Sequence, residues 1–165
     1  MSLLKRSCGF VLALAFFLAA ARAEIMPLPI DDSDGGCDTD NPIQYGAWSS
    51  QSPLLGIGEY DVISDNGDEI YAYLKQQGIQ NILYTGVHTN MCVLGRSFAI
   101  RRMTRLGFQC VLMRDLTDAM YDPRDKPFVN HAIGTQLVVK HIEKFWCPSA
   151  LGSDLMESLL YSRED

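Results

Sequence analysis

The chain has 165 residues, 47% of them hydrophobic, and a formal net charge of −6. That length suits one domain and not two. An acidic chain with no basic cluster excludes nucleic acid and anionic membrane surfaces as partners. In chain order, Lys5 and Arg6 form a basic start, Gly9 to Ala20 is almost wholly apolar, and Ala21-Arg22-Ala23 is a small-x-small site. This is the pattern of a signal peptide over residues 1–23, cleaved after Ala23, and it predicts a secreted or periplasmic product. The apolar run is short for a bilayer span of ~20 residues, so no membrane contact is expected after cleavage. Loss of Lys5, Arg6 and Arg22 takes the net charge from −6 to −9.

Residues 24–58 show little periodicity. Asp31-Asp32-Ser33-Asp34-Gly35-Gly36-Cys37-Asp38-Thr39-Asp40 is an acidic, turn-rich loop. It fails the calcium-loop spacing, because counting from Asp32 the fifth position is Gly36. Gly56-Ile57-Gly58 lacks the third glycine of a dinucleotide motif and opens no helix. No cofactor is implied. Export permits disulfides. Four cysteines remain after cleavage, Cys37, Cys92, Cys110 and Cys147. Spacing does not choose among their pairings. Cys110 lies in an apolar strand and reads as core. Cys37 and Cys147 lie in loop-like surroundings and are the pair expected if one bridge exists. None of the spacings is CxxC, so no zinc is expected.

From residue 59 to 150 the pattern is regular, and 151–165 reads as a C-terminal tail. Asn66 followed by Glu69 resembles a capping box and starts a helix to about Gln77, with Ile70 and Leu74 on its apolar face and Gly78 at its end. Ile79 to Val87 reads as a buried strand. Cys92 to Leu106 reads as one helix, with Ala99, Met103 and Leu106 on one side, Arg96, Arg101, Arg102 and Arg105 largely on the other, and Gly107 at its end. Phe108 to Met113 is a second buried strand. A loop with two prolines runs from Asp115 to about Asn130, and Asp115 and Asp118 read as loop and cap residues. A helix follows from His131 to Phe145, with Ile133, Leu137, Val138, Ile142 and Phe145 at helical spacing. Cys147-Pro148 stops it. Ser153 is the expected cap of a short last helix. Helices alternating with fully apolar strands predict an α/β fold, an open parallel sheet with helices on both faces. Ligands in such sheets sit at the carboxyl ends of the strands.

Cys92 falls at one such end, in the first turn of its predicted helix. A helix N-terminus favours a thiolate through its free amides and macrodipole. The same amides suit the oxyanion of a tetrahedral intermediate. A free cysteine equally suits the role of a small buried hydrophobe. Gly86-Val87-His88-Thr89-Asn90-Met91-Cys92-Val93 resembles the G-V-x-T-N-x-C-V signature of the isochorismatase-like cysteine hydrolases, the group of nicotinamidase and isochorismatase. The resemblance continues through the Arg-rich helix, Val111-Leu112-Met113-Arg114-Asp115-Leu116-Thr117-Asp118, and on from His131 to Pro148. It implies a domain over residues 24–150, with the three-layer, Rossmann-like sheet and an oligomeric assembly. It also implies hydrolysis of a small amide or carbamoyl C–N bond through a thioester on Cys92. A cis peptide at Val87–His88 and oxyanion donors at the backbone amides of His88 and Cys92 complete what it implies.

Two parts of the family pattern have no counterpart. The family's catalytic Asp ends an opening strand, and none of Asp31, Asp32 and Asp34 follows a strand-like run. The family's lysine falls near Glu59, and the nearest lysine in sequence is Lys75 in the helix. The domain therefore reads as lacking its N-terminal part. His88, four residues before Cys92, is the substitute partner for the thiol, and it suits a solvent-facing or subunit-contact role as well. Glu59 and Asp115 are possible supporting acids, although an anion beside Cys92 would oppose thiolate formation. His131 falls near the strand ends, and His141 reads as a helix-surface residue. The sequence thus supports an exported cysteine hydrolase acting on a small molecule. The alternatives are a non-catalytic member whose bare sheet edge is covered by a second copy, or a truncated product with a marginal core.

Overall fold

The computed structural model describes residues 27–33 and 52–161. The expected signal peptide, most of the acidic loop and Cys37 lie outside the described residues. Helix α1 (Gly67–Gln76) starts where its sequence says it should. Asn66 Oδ1 accepts from the N–H groups of Asp68 (3.0 Å) and Glu69 (3.3 Å). The Glu69 half of the capping box is relayed. Ser64 Oγ donates to Glu69 Oε2 (2.9 Å) and accepts from the Asn66 N–H (3.1 Å). Gly78, at φ 68°, ends the helix in the left-handed region that favours glycine. Strand β1 (Asn81–Val87) follows, then two short helices, α2 (Cys92–Gly95) and α3 (Ile100–Arg105). Strand β2 (Gln109–Asp118), helix α4 (His131–Phe145), the two-residue strand β3 (Ser149–Ala150) and helix α5 (Gly152–Tyr161) complete the order.

The three strands form one parallel sheet in the order β1-β2-β3, so the chain is α/β as its alternation implies. Cys110 and Leu112 of β2 face a core built with Leu94, Ile100, Met103, Val138, Ile142 and Trp146. The register of β1 on β2 carries one irregularity. Tyr84 lies opposite Leu112, but Gly86 lies opposite Thr117 and Val87 opposite Asp118. Residues 113–116 of β2 thus face the single residue Thr85, an enlarged form of the bulges that re-aim strand ends near functional sites. The slip carries the end of β2 alongside the end of β1.

Several expectations change. The second strand does not stop at Met113. It runs to Asp118 and takes Asp115 and Asp118 out of the expected loop. The single helix Cys92–Leu106 is two helices, broken at Arg96, whose ψ of 161° is extended. Tertiary contacts hold the break open: Tyr84 Oη donates to the Phe98 carbonyl (2.9 Å), and the Ser97 carbonyl rests on Gly67 so closely that a Cβ there would collide with it. The first strand is not buried on both faces. Leu83 is 46% and Val87 60% exposed, because no described residue pairs with the outer edge of β1. Ile133 is exposed, since its neighbour Gly134 takes the inward place. Ser153 is not the cap of α5. The Asp154 carboxylate accepts from the Leu151 N–H (3.1 Å), and Asp115 accepts from the Gly152 N–H (2.8 and 3.0 Å).

Gly134 is the tightest glycine of the core, because a Cβ at this position would overlap the ring of buried Tyr121. Ala normally stabilises a helix interior over Gly by ~1 kcal/mol. Here the overpacking term of about 1–3 kcal/mol wins. Gly134→Ala should lower the urea midpoint, and an unchanged or raised midpoint would contradict this packing.

Candidate functional site

Strand β1 hands over to α2 through residues 86–91. Gly86 sits at φ 110°, which requires glycine, and the Val87–His88 bond is cis. The His88 carbonyl then accepts the N–H groups of Met91 and Val93, both at 3.1 Å, closing a tight turn around Cys92. The polar residues of the turn face inward. Thr89 and Asn90 are both buried, and each is spent on anchorage. The Thr89 N–H donates to the Asp118 carbonyl (2.8 Å). Thr117 Oγ1 donates to the Gly86 carbonyl (2.8 Å), so the Thr89 hydroxyl supplies the proton of their 2.7 Å contact. Asn90 makes a two-point bond to Met120. Its Nδ2 donates to the Met120 carbonyl (3.1 Å), and its Oδ1 accepts the Met120 N–H (2.9 Å).

The turn also leaves polar groups unpaired. Among the described residues, the backbone N–H groups of His88 and Cys92 have no hydrogen-bond partner, and neither has the Cys92 thiol or the His88 ring. Cys92 is half-buried and free. The other described thiols are core residues. Cys110 is buried, with Sγ 3.8 Å from the Phe108 carbonyl, and burial pushes its pKa up. Cys147 is buried and free, and burial first, then Cys110, pushes its pKa up to about 12. Cys37, its expected partner, lies outside the described residues.

The other sequence candidates separate. Glu59 is exposed in a turn. Asp115 is committed to the first turn of α5. Lys75 lies over the rings of Tyr71 (5.9 Å) and Phe108 (5.2 Å), so the nearest lysine in sequence is occupied elsewhere. His141 is not on the surface. It is buried with its ring 4.9 Å from that of Phe145, and burial, then Arg101 and Lys144, lower its pKa. Among the described residues, no group of three or more His, Cys, Asp or Glu is placed to hold a metal ion.

One cluster was not legible as a unit. His131, the first residue of α4, places Nε2 at 2.9 and 3.0 Å from the Asp118 carboxylate oxygens, and Nδ1 at 2.9 Å from the Tyr121 carbonyl. Thr135 Oγ1 donates to Asp118 Oδ1 (2.8 Å) and accepts the Ala119 N–H (3.1 Å). Burial works to raise the Asp118 pKa, but the hydrogen bonds of Thr135 and His131 and the imidazolium charge bring it below the ordinary carboxylate value. The bond to Asp118, then that to the Tyr121 carbonyl, hold the His131 pKa above its ordinary value. The only sequence signal for this pair was the proximity of His131 to the strand ends.

Residues 61–137 match the family model described as the isochorismatase domain. No curated protein and no solved structure matches the chain.

Because Asn90 satisfies both Met120 backbone groups, Asn90→Ala strands them without partners. The expected cost is about 1–3 kcal/mol, read as a fall in thermal midpoint. Asn90→Asp retains the acceptor alone and should fall between the two. Wild-type stability in Asn90→Ala would show that the turn is not held this way.

Proposed function

The chain is isochorismatase-like through its 61–137 segment, and on that premise we propose that it is an exported cysteine hydrolase. Its substrate is a small amide or carbamoyl compound, cleaved at the C–N bond through a Cys92 thioester. The observation that carries this reading is a half-buried free thiol beside two unpartnered backbone N–H groups on a turn anchored at both ends. Cys92 Sγ attacks the carbonyl carbon, and the C=O electron pair moves onto oxygen. The N–H groups of His88 and Cys92 receive that oxyanion. His88 takes the thiol proton and returns it to the nitrogen as the C–N bond breaks. Water then adds to the thioester, again with the oxyanion held, and the C–S bond breaks to release the acid and the thiol. Helix α2 has only four residues, so little dipole stands behind the thiol, and the two amides carry most of the electrostatic support. Export rests on the Lys5-Arg6, Gly9–Ala20 and Ala21-Arg22-Ala23 pattern.

Ammonia release from a panel of small primary amides and carbamoyl compounds tests the proposal. Wild-type protein should turn over at least one of them. Cys92→Ala should abolish that turnover while keeping the wild-type thermal midpoint. Turnover that survives Cys92→Ala, or a wild-type protein that hydrolyses none of the panel, removes the reading.

A second reading, a non-catalytic assembly protein of the same fold, is favoured by the outer edge of β1. The strand Asn-Ile-Leu-Tyr-Thr-Gly-Val carries no charge, exposes Leu83 and Val87, and has no described partner on that side. Uncharged edges of this kind pair with other strands. The occupant we assign is β1 of a second copy, related by a two-fold axis and hence antiparallel. Sedimentation should give a dimer that Leu83→Lys converts to monomer. A monomer across the accessible concentration range would end this reading and leave the first intact.

A further inference from the structure

The segment 118–121 is gripped from two sides. On one side it holds the Cys92 turn, through the Asp118 carbonyl on the Thr89 N–H and Met120 on Asn90. On the other it is held by the start of α4, through His131 and Thr135. Both groups that face the His131 ring accept hydrogen bonds and donate none. The Tyr121 carbonyl meets Nδ1, and the Asp118 carboxylate meets Nε2. A neutral imidazole has one N–H and can satisfy only one of them, whereas an imidazolium satisfies both.

We propose that His131 is the positioning residue of the Cys92 turn: as an imidazolium bridging Asp118 and the Tyr121 carbonyl it fixes residues 118–121, and it releases them when it deprotonates. The proposal rests on the reading of the Cys92 turn as the reacting centre. β2 presents Asp118 to the ring, α4 presents the neutral Thr135, and the loop presents the Tyr121 carbonyl. The loop's Asp122 is paired with Arg124, and the turn beyond residues 118–121 carries His88 and Cys92. Asp118 and His131 are each about half exposed, at 54% and 45% of the side chain. Water therefore screens their charges, and the two-point geometry matters more than the Coulombic attraction.

The sign follows from the direction of each shift. Asp118 is held below its ordinary value, so it is ionised through the whole range in which the imidazole titrates. His131 is held above its ordinary value, so its contribution is complete below an unfolded pKa of ~6.5 and is lost as pH rises through the higher folded value. The turn is therefore held on the acid side and loosened on the alkaline side.

Amide hydrogen exchange of the full chain, corrected for intrinsic rates and followed from about pH 5 to about pH 9, tests this, with the imidazole titration read by NMR. Protection at Thr89 and Met120 should fall by roughly threefold to tenfold as His131 deprotonates, while protection in the core of β2, at Leu112, stays level. His131→Arg, charged throughout, should hold the acid-side value at every pH, and His131→Gln the alkaline-side value. If His131→Gln fails to fold, the wild-type titration and His131→Arg decide the matter alone. Protection that ignores the imidazole titration, or that moves equally at Leu112, overturns the proposal. A protein that passes this test yet hydrolyses no amide keeps the latch and loses the hydrolase, so the two failures stay separate.

Discussion

Asn90 occupies both backbone groups of Met120 with one side chain, and the rest of the site hangs from that clamp. A buried amide with neither partner would cost more than an apolar residue in its place, so the turn and the end of β2 must form together. The cis bond at Val87–His88 lies between this clamp and the last pairs of β1 on β2, the left-handed Gly86 belongs to those pairs, and the ring from His88 to Val93 closes around Asn90 itself. The register slip serves the same end. Had β1 and β2 kept step from Tyr84 and Leu112, Val87 would lie opposite Asp115 instead of Asp118. Three surplus residues in β2 bring the two strand ends level.

That anchorage sorts the polar residues of the motif. Thr89 and Asn90 read in sequence as part of a chemical signature, yet their hydrogen-bonding capacity goes into holding the turn. What remains unpaired in the turn is two backbone N–H groups and one thiol. The same sorting runs through the cysteines. Cys110 and Cys147 lie in the core, where an apolar neighbourhood disfavours the thiolate, and of the three described thiols only Cys92 is not buried.

Features set by local physics were legible in the sequence. The Asn66 cap, the Gly78 and Gly107 stops and the limits of α4 follow from residues within one turn of the feature. The parallel α/β arrangement and the cysteine turn followed from periodicity and from the resemblance. What the sequence concealed depends on distant contacts. The break between α2 and α3 needs Gly67 and Tyr84, which meet it only in the folded chain. His141 sits one position from an apolar stripe, and it goes inside with its ring packed on that of Phe145. The apolar run of β1 gave no sign that one edge would have no partner among the described residues, because burial of a strand is a property of its neighbours. The Asp118–His131 pair spans a loop whose path no short-range pattern specifies.

The edge of β1 that no described residue pairs with and the proton acceptor that the proposed mechanism requires are one geometric problem. Val87 is the last residue of β1 and His88 follows it, so whatever pairs along β1 ends beside the start of the turn that carries Cys92. A strand laid parallel to β1 brings its carboxyl end there, where ligands of open α/β sheets are bound, together with any side chain at that end. A strand laid antiparallel, as in a two-fold pair, brings its amino end, and the residues preceding Asn81 approach the turn instead. Those are Gly78, Ile79 and Gln80, none of which can take a proton from a thiol. Closing the edge with a second copy therefore brings no new proton acceptor to the turn, and in the proposed mechanism the task stays with His88 unless a parallel partner supplies one.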